Sequence, residues 1–360
     1  MNTLPAYLGA RPEDYARLHL KKSQIEGWED GMRTDGSAGT YEWWYFDVHL
    51  TDGSTLVITF LTKNYTDVDR PLTPLILYNL DRPDGTVIEK VHYLPVDQFL
   101  ASKEGCDVRI EKNTFAGDLH TYTIHVEIDE ILTDITLTGT SPAWRPETGH
   151  LFFGEQAEDF FAWLPSVPQG NVEAVITVNG KRDTLTGIGY HDHNWGNISI
   201  LKLVNHWYWA RGKVGDYTII VAYITTEKVY GYKTFPVFML ARDGKIIADD
   251  GDKVRFELGD VQIDAETRKP FANVTIYDYQ SADQHYRLTF TREKTILRTI
   301  LANTLVWYKR LLAKLIGFDG AYLRFTGQLT IDCYEEGKVA SSEKDAALWE
   351  LMYFGHVPKT

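Results

Sequence analysis

The sequence of 360 residues is 44% hydrophobic and 24% charged, as is ordinary for a soluble globular protein, and its 13% aromatic content is high. The formal net charge of −13 opposes attraction to phosphate backbones, and the sequence has no basic stripe, zinc-finger spacing or RNA-binding aromatic motif. Nucleic acid is therefore excluded as an expected partner, and the many aromatic rings favour a β-rich protein with an apolar interior.

Length and cysteine content limit the architecture further. The chain exceeds the size of a typical single core, so two domains of similar size are expected. Two cysteines, Cys106 and Cys333, are too few for a disulfide framework. The sequence does not begin with a basic region followed by an apolar run, and no stretch is long and apolar enough to span a bilayer. These features predict a cytoplasmic protein.

A polar lead-in over residues 1–38, with a helix predicted near Arg11–Lys22, precedes the first hairpin. The stretch Tyr41–Leu50 is rich in aromatic residues, Asp52-Gly53 marks a turn, and Thr55–Thr62 returns in β-branched residues. The sequence thus predicts that the first domain begins near residue 39 with two antiparallel strands.

Alternation along the first strand places Glu42 at the end of an apolar face. The apolar residues of that face are Trp44, Phe46, Val48 and Leu50. A carboxylate in such a place is a candidate for a raised pKa and hence for a proton donor. The alternative is that Glu42 reaches solvent or pairs with an arginine.

Turn signals recur at regular spacing through the chain. They are Pro83-Asp84-Gly85, Gly117-Asp118, Asn179-Gly180, Gly215-Asp216 and Asp243-Gly244. The apolar or alternating runs between them are typical of antiparallel all-β architecture. The sequence contains no Gly-x-Gly-x-x-Gly fingerprint, phosphate loop or Gly-x-Ser-x-Gly elbow, so dinucleotide, nucleotide and common serine-hydrolase chemistry have no support.

An internal repeat indicates two domains of one kind. Aligning Glu42-Trp43-Trp44-Tyr45 with His206-Trp207-Tyr208-Trp209 also aligns Asp52 with Asp216 and Thr55–Phe60 with Ile219–Ile224. Both copies read as an aromatic strand, a turn and an apolar strand. We therefore predict two tandem antiparallel β-barrels, an N-terminal one over residues 39–200 and a C-terminal one over residues 201–360.

The densest group of chemically active side chains lies in residues 187–197, which read Gly-Ile-Gly-Tyr-His-Asp-His-Asn-Trp-Gly-Asn. This stretch follows the Asn-Gly hairpin signal and is predicted to be the outgoing strand of that hairpin. Alternation divides its polar residues between two faces, with His191 and His193 on one and Tyr190, Asp192 and Asn194 on the other. A hydrogen-bonded knot that closes the end of a barrel and an active site both fit this pattern.

One segment departs from the β pattern. Between Arg292 and Ile316 apolar residues recur at helical spacing, which predicts an amphipathic helix over residues 292–316 in the second barrel. Its cationic residues, against one acidic residue, are Arg292, Lys294, Arg298, Lys309, Arg310 and Lys314. Packing outside a sheet, capping a barrel mouth and peripheral contact with a membrane surface are the alternatives for its role.

Four motifs together resemble one known family. They are Glu42-Trp43-Trp44-Tyr45, residues 161–170, residues 187–196 with His191-Asp192-His193-Asn194-Trp195-Gly196, and His206-Trp207-Tyr208-Trp209. The family joins carotenoid 1,2-hydratases (hydroxyneurosporene synthases), attH-like proteins and lipocalin-like Diels-Alderases. The resemblance implies two lipocalin-like barrels, a pocket for a hydrophobic small molecule and no cofactor.

The resemblance implies two different chemistries. A hydratase adds water across an isoprenoid double bond, for which a protonating acid and nearby aromatic rings are suited. The residues that fit this role are Asp192, Glu42, Trp195 and Tyr190. The aromatic-x-aspartate of the hydratase pattern is matched here by Tyr223-Ile224-Thr225, in which threonine replaces the acid. This departure favours the cyclase.

A cyclase folds a linear polyene into a reactive shape, mainly by positioning it and by polarising a carbonyl with a hydrogen bond. The predicted catalytic residues are Tyr190, Asp192, His193, Asn194 and Glu42. The predicted substrate-binding residues are Trp44, Trp195, Trp207, Trp209, His191 and His206. We expect a cofactor-independent cyclase acting on an elongated hydrophobic polyene, polyketide or isoprenoid, with a hydratase and a non-catalytic carrier of hydrophobic ligands as alternatives.

Two imidazoles on one strand face, as in His191-x-His193, are also a known arrangement of metal ligands. Glu42, His206 or Asp47 would have to supply the third ligand. Because many histidine pairs are merely hydrogen-bonded, no metal is expected. No pair of acids has a spacing typical of a glycosidase, so a sugar-cleaving site is not expected either.

Overall fold

Antiparallel strands make up most of the structure, a computed structural model that describes residues 3–65, 67–304 and 319–358. The strands form two sheets, and the chain divides into two units. We call residues 7–200 the N-terminal unit, and residues 3–6 together with the described residues from 201 onward the C-terminal unit. Each sheet curls around a core of its own, which confirms the predicted all-β, lipocalin-like class.

The first sheet contains the strands of the N-terminal unit, numbered in chain order. They are β1 (Ala6–Leu8), β2 (Tyr41–Leu50), β3 (Thr55–Leu61), β4 (Leu75–Asp81), β5 (Val87–Tyr93), β6 (Phe99–Ala101), β7 (Cys106–Ile110), β8 (Asn113–Gly117), β9 (Thr121–Ile128), β10 (Ile131–Gly139), β11 (His150–Phe153), β12 (Asp159–Val178) and β13 (Lys181–Gly196). Helix α1 (Pro12–Leu18) and a 3-10 turn (Gly27–Asp30) precede β2, and a second 3-10 turn covers Val96–Gln98. Among the described residues the order of paired strands is β5-β4-β3-β2-β13-β12-β10-β9-β8-β7-β6, with β11 on β12 and β1 on β11.

The second sheet follows a short helix, α2 (Ile200–Leu203). Its strands are β14 (Val204–Val214), β15 (Tyr217–Thr226), β16 (Thr234–Arg242), β17 (Lys245–Ala248), β18 (Val254–Ile263), β19 (Pro270–Gln280), β20 (His285–Ile300), β21 (Ala321–Glu335) and β22 (Lys338–Tyr353). Helix α3 (Leu301–Thr304) follows β20, and 3-10 turns cover Lys228–Tyr230 and Gly251–Lys253. In the described part of the chain the pairing order is β17-β16-β15-β14-β22-β21-β20-β19-β18.

The predicted turns connect the strands as expected. Asn179 and Gly180, between β12 and β13, have φ angles of 49° and 79°, which the two central residues of a type I′ hairpin turn require. The turn signals at Gly53, Gly85 and Gly244 also fall between paired strands, and each glycine has a positive φ. Turn chemistry therefore sets the hairpin register here.

The curl of the first sheet brings strands together that are not neighbours in it. The Tyr78 hydroxyl in β4 lies 3.0 Å from the Thr133 hydroxyl in β10, although β3, β2, β13 and β12 separate these two strands in the sheet. The predicted apolar face of β2 lines this interior, with Trp44, Phe46 and Val48 buried. The core therefore lies inside the curled sheet.

The internal repeat is visible in the strand order. The hairpin of β2 and β3 corresponds to that of β14 and β15, and each hairpin pairs through its first strand with the last strand of its own sheet, β13 or β22. Trp44 and its repeat partner Tyr208 both lie in the core of their unit. The two sheets are thus built on the same plan.

The helix predicted over residues 292–316 is wrong in its first part. Residues 292–300 are the end of β20 and pair with β21, from Arg292 opposite Gly327 to Ile300 opposite Ala321. Two register shifts within this stretch break the two-residue alternation, so its apolar residues do not recur with the period of a regular strand. Helix α3 covers four residues, and residues 305–316 lie outside the described ranges. Within those ranges, no helix has the length and apolar character to cross a membrane.

Candidate active site

Strand β13 carries most of the predicted site residues. It pairs with β2 so that His193 is opposite Trp44 and Asp192 is opposite Tyr45. Gly189 permits close packing here, because a Cβ at this position would lie 2.6 Å from Val172 Cγ2 and 2.9 Å from the Asp47 carbonyl oxygen. Alternate residues of a strand face opposite sides of its sheet, so the predicted residues separate into two groups.

We call the group on the core side the interior cluster. Its members are Asp30, Glu42, Trp44, Cys106, Tyr122, His191 and His193, and each is at most 3% exposed. The His191 ring lies 4.7 Å from that of Phe115 and 4.4 Å from that of Tyr122, which belong to β8 and β9. The His193 ring lies 4.7 Å from both Trp44 and Trp195. The predicted walls Trp44 and Trp195 therefore pack against an imidazole inside the unit.

The Glu42 carboxylate accepts four hydrogen bonds. The donors are the backbone N–H groups of Arg33 at 2.6 Å and Thr34 at 2.8 Å, the Thr34 hydroxyl at 2.6 Å and His193 Nε2 at 2.8 Å. Because both oxygens accept hydrogen bonds, Glu42 anchors residues 33–34 and orients His193.

Asp30, which the sequence analysis did not single out, lies between the two histidines. Its Oδ2 accepts hydrogen bonds from the Tyr122 hydroxyl and from His191 Nε2 at 3.2 Å, and its Oδ1 lies 3.5 Å from His193 Nδ1. Burial would raise the pKa of Asp30, but the adjacent histidines and the Tyr122 hydroxyl outweigh it and keep the pKa below its ordinary value. Asp30 comes from the end of a 3-10 turn in a polar segment, where no periodicity marks it as buried.

We call the group on the other side of the sheet the outer cluster. Its members are Trp43, Tyr45, Trp163, Tyr190, Asp192 and Asn194. Asp192 Oδ2 accepts hydrogen bonds from the Tyr190 hydroxyl at 2.7 Å and Trp163 Nε1 at 2.8 Å, and its Oδ1 accepts one from Asn194 Nδ2 at 2.7 Å. Burial raises the pKa of Asp192 to about 6, although the hydrogen bonds from Tyr190 and Trp163 act in the opposite direction.

Aromatic rings surround the outer carboxylate. Trp43 and Tyr45 stand opposite Asn194 and Asp192 in the register of β2 and β13. Trp43 stacks on Phe161 at 6.5 Å, and Trp163 meets Trp144 edge to face at 6.2 Å. The outer cluster is thus a small polar group within an apolar wall, the composition that favours hydrophobic ligands.

The remaining predicted residues belong to the C-terminal unit. Trp207 and Trp209 lie on the face of β14 away from the core residue Tyr208, and by the internal repeat they correspond to Trp43 and Tyr45. Trp207 Nε1 donates to Glu350 at 3.0 Å, and burial raises the pKa of Glu350. His206 stacks on Tyr353 at 4.6 Å, and burial lowers the pKa of His206 to about 4. Their role in substrate binding stays a prediction.

The structure separates the five predicted catalytic residues. Tyr190, Asp192 and Asn194 lie together in the outer cluster, whereas His193 and Glu42 lie in the interior cluster. Sequence reasoning missed Trp43, Tyr45 and Trp163 as neighbours of Asp192. The two-residue alternation of β2 could have placed Trp43 and Tyr45 on this face. Trp163 could not be predicted without knowing that it stands opposite Asn194 in the pairing of β12 with β13.

Known proteins show the same fold and related sequences. The model of the Diels-Alderase-like family matches residues 32–299. The chain is similar to the quinolone epoxide rearrangement protein asqO of Emericella nidulans, with 28% identity over 197 residues, which cover 51% of this chain and 54% of asqO. The chain therefore spans about half the length of this curated relative.

Solved structures extend the likeness along nearly the whole chain. The structure of CghA with Sch210972 has a TM-score of 0.61 and 15% identity, and the match covers 92% of this chain and 96% of CghA. Kievitone hydratase from Nectria haematococca has a TM-score of 0.54 and 14% identity, over 93% of this chain and 94% of the hydratase. At these identities the likeness shows the fold alone.

Proposed function

The chain belongs to the Diels-Alderase-like family, and from that premise we propose that it cyclises an elongated hydrophobic polyene, polyketide or isoprenoid in natural-product biosynthesis without a cofactor. The observation that carries this proposal is the Asp192 carboxylate, which gathers Tyr190, Asn194 and Trp163 among aromatic rings. The related protein asqO is named for the rearrangement of a quinolone epoxide, which supports chemistry on a small hydrophobic molecule.

The outer cluster suits catalysis by positioning. Trp43 and Tyr45 are partly exposed, whereas Trp163 is buried beside them, and the two partly exposed rings offer flat apolar surfaces that can hold a flexible chain. Restricting a substrate to a reactive conformation lowers the activation free energy of its reaction by at most about 7–11 kcal/mol. A site that needs only shape and a few polar groups can perform such a cyclisation.

Asp192 fixes the polar groups of this site. An amide has two N–H donors and a carbonyl oxygen, so the hydrogen bond from Asn194 to Asp192 leaves capacity to polarise a substrate carbonyl. A donor held in place before the reaction stabilises developing negative charge without reorganisation. We assign Asn194 to this contact and Asp192 and Tyr190 to its orientation.

A hydratase is the second candidate. A buried carboxyl beside aromatic rings is also what protonation of a double bond requires, because the rings stabilise a passing carbocation. The likeness in fold to kievitone hydratase is compatible with this candidate. The third candidate function is that of a carrier, which binds a hydrophobic ligand without changing it.

The test is to incubate the purified protein with candidate polyenes and to follow products by liquid chromatography and mass spectrometry. Cyclisation yields a product of unchanged mass, and hydration yields one heavier by a water. We expect Asp192→Asn to lower kcat by about 100-fold, the usual effect of disrupting a preorganised donor group. Tyr78→Phe is the matched control for Tyr190→Phe, since Tyr78 is a buried tyrosine in the same unit whose hydroxyl contacts Thr133.

Full turnover by a variant that combines Asp192→Asn, Tyr190→Phe and Asn194→Ala would show that the outer cluster is not the site. Native mass spectrometry separates the carrier from both enzymes, because a carrier releases its ligand unchanged.

A further inference from the structure

The interior cluster has no task in the proposed reaction, and two of its buried polar atoms lie at ion-pair distance from each other but form no hydrogen bond. Asp30 Oδ1 and His193 Nδ1 have no hydrogen-bond partner among the described residues, although they lie 3.5 Å apart. Asp30 is 1% exposed and His193 is fully buried. Buried polar atoms without partners are rare in native proteins, so this pair calls for an explanation such as an ion that the two atoms share.

Both histidines present one ring nitrogen toward Asp30 and have the other fixed by an acceptor. His191 Nδ1 lies 2.8 Å from the Tyr45 carbonyl oxygen, which can only accept, so this nitrogen carries a proton and Nε2 is directed at Asp30. His193 Nε2 donates to Glu42, which leaves Nδ1 on the side of Asp30. A backbone carbonyl and a carboxylate are the groups that usually orient metal-binding histidines from behind.

A thiol completes the group. The Cys106 sulfur, a carboxylate oxygen of Asp30 and a ring nitrogen of His191 all lie within 4.8 Å of one another. The thiol contacts the Phe115 carbonyl oxygen at 3.7 Å and also forms a side-chain hydrogen bond with Asp30. Zinc bonds of about 2.0–2.3 Å in a tetrahedron place neighbouring ligand atoms roughly 3.3–3.8 Å apart. Asp30 Oδ2 lies 3.2 Å from His191 Nε2, which is close to these values. His193 is outside this group of three, and its Nδ1 lies 3.5 Å from the other carboxylate oxygen, Asp30 Oδ1.

We propose that Asp30, Cys106, His191 and His193 bind a zinc ion inside the N-terminal unit. One sulfur, two imidazoles and one carboxylate form a ligand set that suits Zn²⁺. The thiolate and the carboxylate together balance the two positive charges, which matters where water cannot solvate an excess charge. Binding displaces the thiol proton to solvent, because a thiolate is the form that ligates a metal.

Four protein ligands in a fully buried place make this a structural site rather than a catalytic one with an open position. It goes beyond the proposed function and does not rest on it, because the outer cluster lies on the other side of the sheet. The three further ligands considered from the sequence have other contacts. Glu42 holds His193 from behind, Asp47 accepts a hydrogen bond from the Tyr45 hydroxyl, and His206 stacks on Tyr353.

Zinc analysis of the full-length protein tests the proposal. Because the site is buried, the metal enters as the chain folds, so the protein is expressed in zinc-supplemented medium and purified by gel filtration before elemental analysis. We expect about one zinc per chain in the wild type, the occupancy of a closed structural site. Cys333→Ser, the matched control at the other cysteine, retains this zinc, whereas Cys106→Ser and His193→Ala lose it. Glu42→Gln weakens zinc binding by about 10- to 100-fold, the usual effect of removing a group that orients a ligand.

Cobalt supplies a second readout, because its absorption in the wild type reports the bond between the metal and a thiolate directly. Wild-type protein and Cys333→Ser expressed with cobalt(II) show a thiolate-to-cobalt charge-transfer absorption, and Cys106→Ser lacks it. Wild-type protein without zinc and without this absorption overturns the proposal, as does equal zinc content in the wild type, Cys106→Ser and His193→Ala. Neither readout uses product formation, so the metal site and the proposed reaction can fail independently.

Discussion

At the scale of single residues, burial decides which groups carry charge. His150 in β11 is buried against Phe152 at 5.6 Å, Phe160 at 5.4 Å and Trp195 at 5.4 Å. Burial lowers the pKa of His150 to about 4, although the contact of its Nδ1 with the Thr148 carbonyl oxygen favours the protonated ring. The folded protein therefore holds this imidazole neutral at pH values where the unfolded chain binds a proton.

This difference makes stability depend on pH. Between about pH 6.5 and pH 4 the unfolded state binds the proton that folded His150 excludes, so the free energy of unfolding falls as the pH falls through this window. The contribution of His150 is about 3 kcal/mol in order of magnitude. Urea unfolding of the wild type and His150→Phe at pH 7.5 and 4.5 measures it. The same substitution at half-exposed His125 is the control, and equal pH dependence of the wild type and His150→Phe contradicts the expectation.

Sequence patterns identified β13 and its chemically active residues but not all of their partners. Two-residue alternation was sufficient to divide Tyr190, Asp192 and Asn194 from the two histidines. Asp30 could not be predicted, because it comes from a polar segment far away in the chain and reaches the histidines only through the 3-10 turn that precedes β2. The same holds for Cys106, which approaches from β7 at the far end of the sheet order.

At the scale of elements, glycine allows β13 to pack closely between its two neighbours. At Gly187 a Cβ would lie 2.4 Å from the His49 carbonyl oxygen and 2.7 Å from Val48 Cγ2, and Gly189 is equally restricted. The contacting atoms include backbone oxygens of β2, which cannot move without disturbing the ladder.

We expect Gly189→Ala to destabilise the protein by about 1–3 kcal/mol, the range for inserting a methyl group into a well-packed interior. Gly212→Ala in β14 is the matched control, because nothing lies within 4 Å of a Cβ at that position. Gly212→Ala is expected to stabilise the protein by about 0.4–1 kcal/mol, because alanine lowers the conformational entropy of the unfolded chain. Midpoints of urea unfolding measure both changes, and a neutral Gly189→Ala speaks against the tight packing of β13.

Hairpins were the elements best predicted from the sequence, because a turn such as Asn179-Gly180 has a local chemical cause in its positive φ angles. The segment 292–300 was mispredicted because local periodicity is unreliable where register shifts interrupt a strand. The structure of this segment is decided by its pairing with residues 321–327 of β21, which a local sequence pattern does not reveal.

At the scale of the whole molecule, each unit has a large hydrophobic core, and in the described part of the chain these two cores share no residue. Phe46 belongs to the first and Phe325 to the second, and both are fully buried. The tandem plan was predictable from the repeated aromatic hairpin, since each copy places one ring, Trp44 or Tyr208, in its own core. What the sequence did not reveal is which distant strands meet inside each curl.

Separate cores predict separate responses to mutation. Phe46→Ala and Phe325→Ala each remove about 3–5 kcal/mol from the stability of the affected unit. Amide hydrogen exchange read by mass spectrometry is expected to increase within residues 7–200 for the first variant and within the described residues from 201 onward for the second. Equal loss of protection throughout the chain for either variant contradicts this expectation.

The alternation of β13 has a consequence for how its chemistry can change. Even-numbered positions from 190 to 194 face the outer cluster, and odd-numbered positions from 191 to 195 face the interior of the unit. Reactivity can therefore diverge by substitutions at even positions while the odd ones preserve the folded scaffold. The deletion of a single residue after Asn179 would exchange the two sets, moving an acid into the place of an imidazole and disabling both at once.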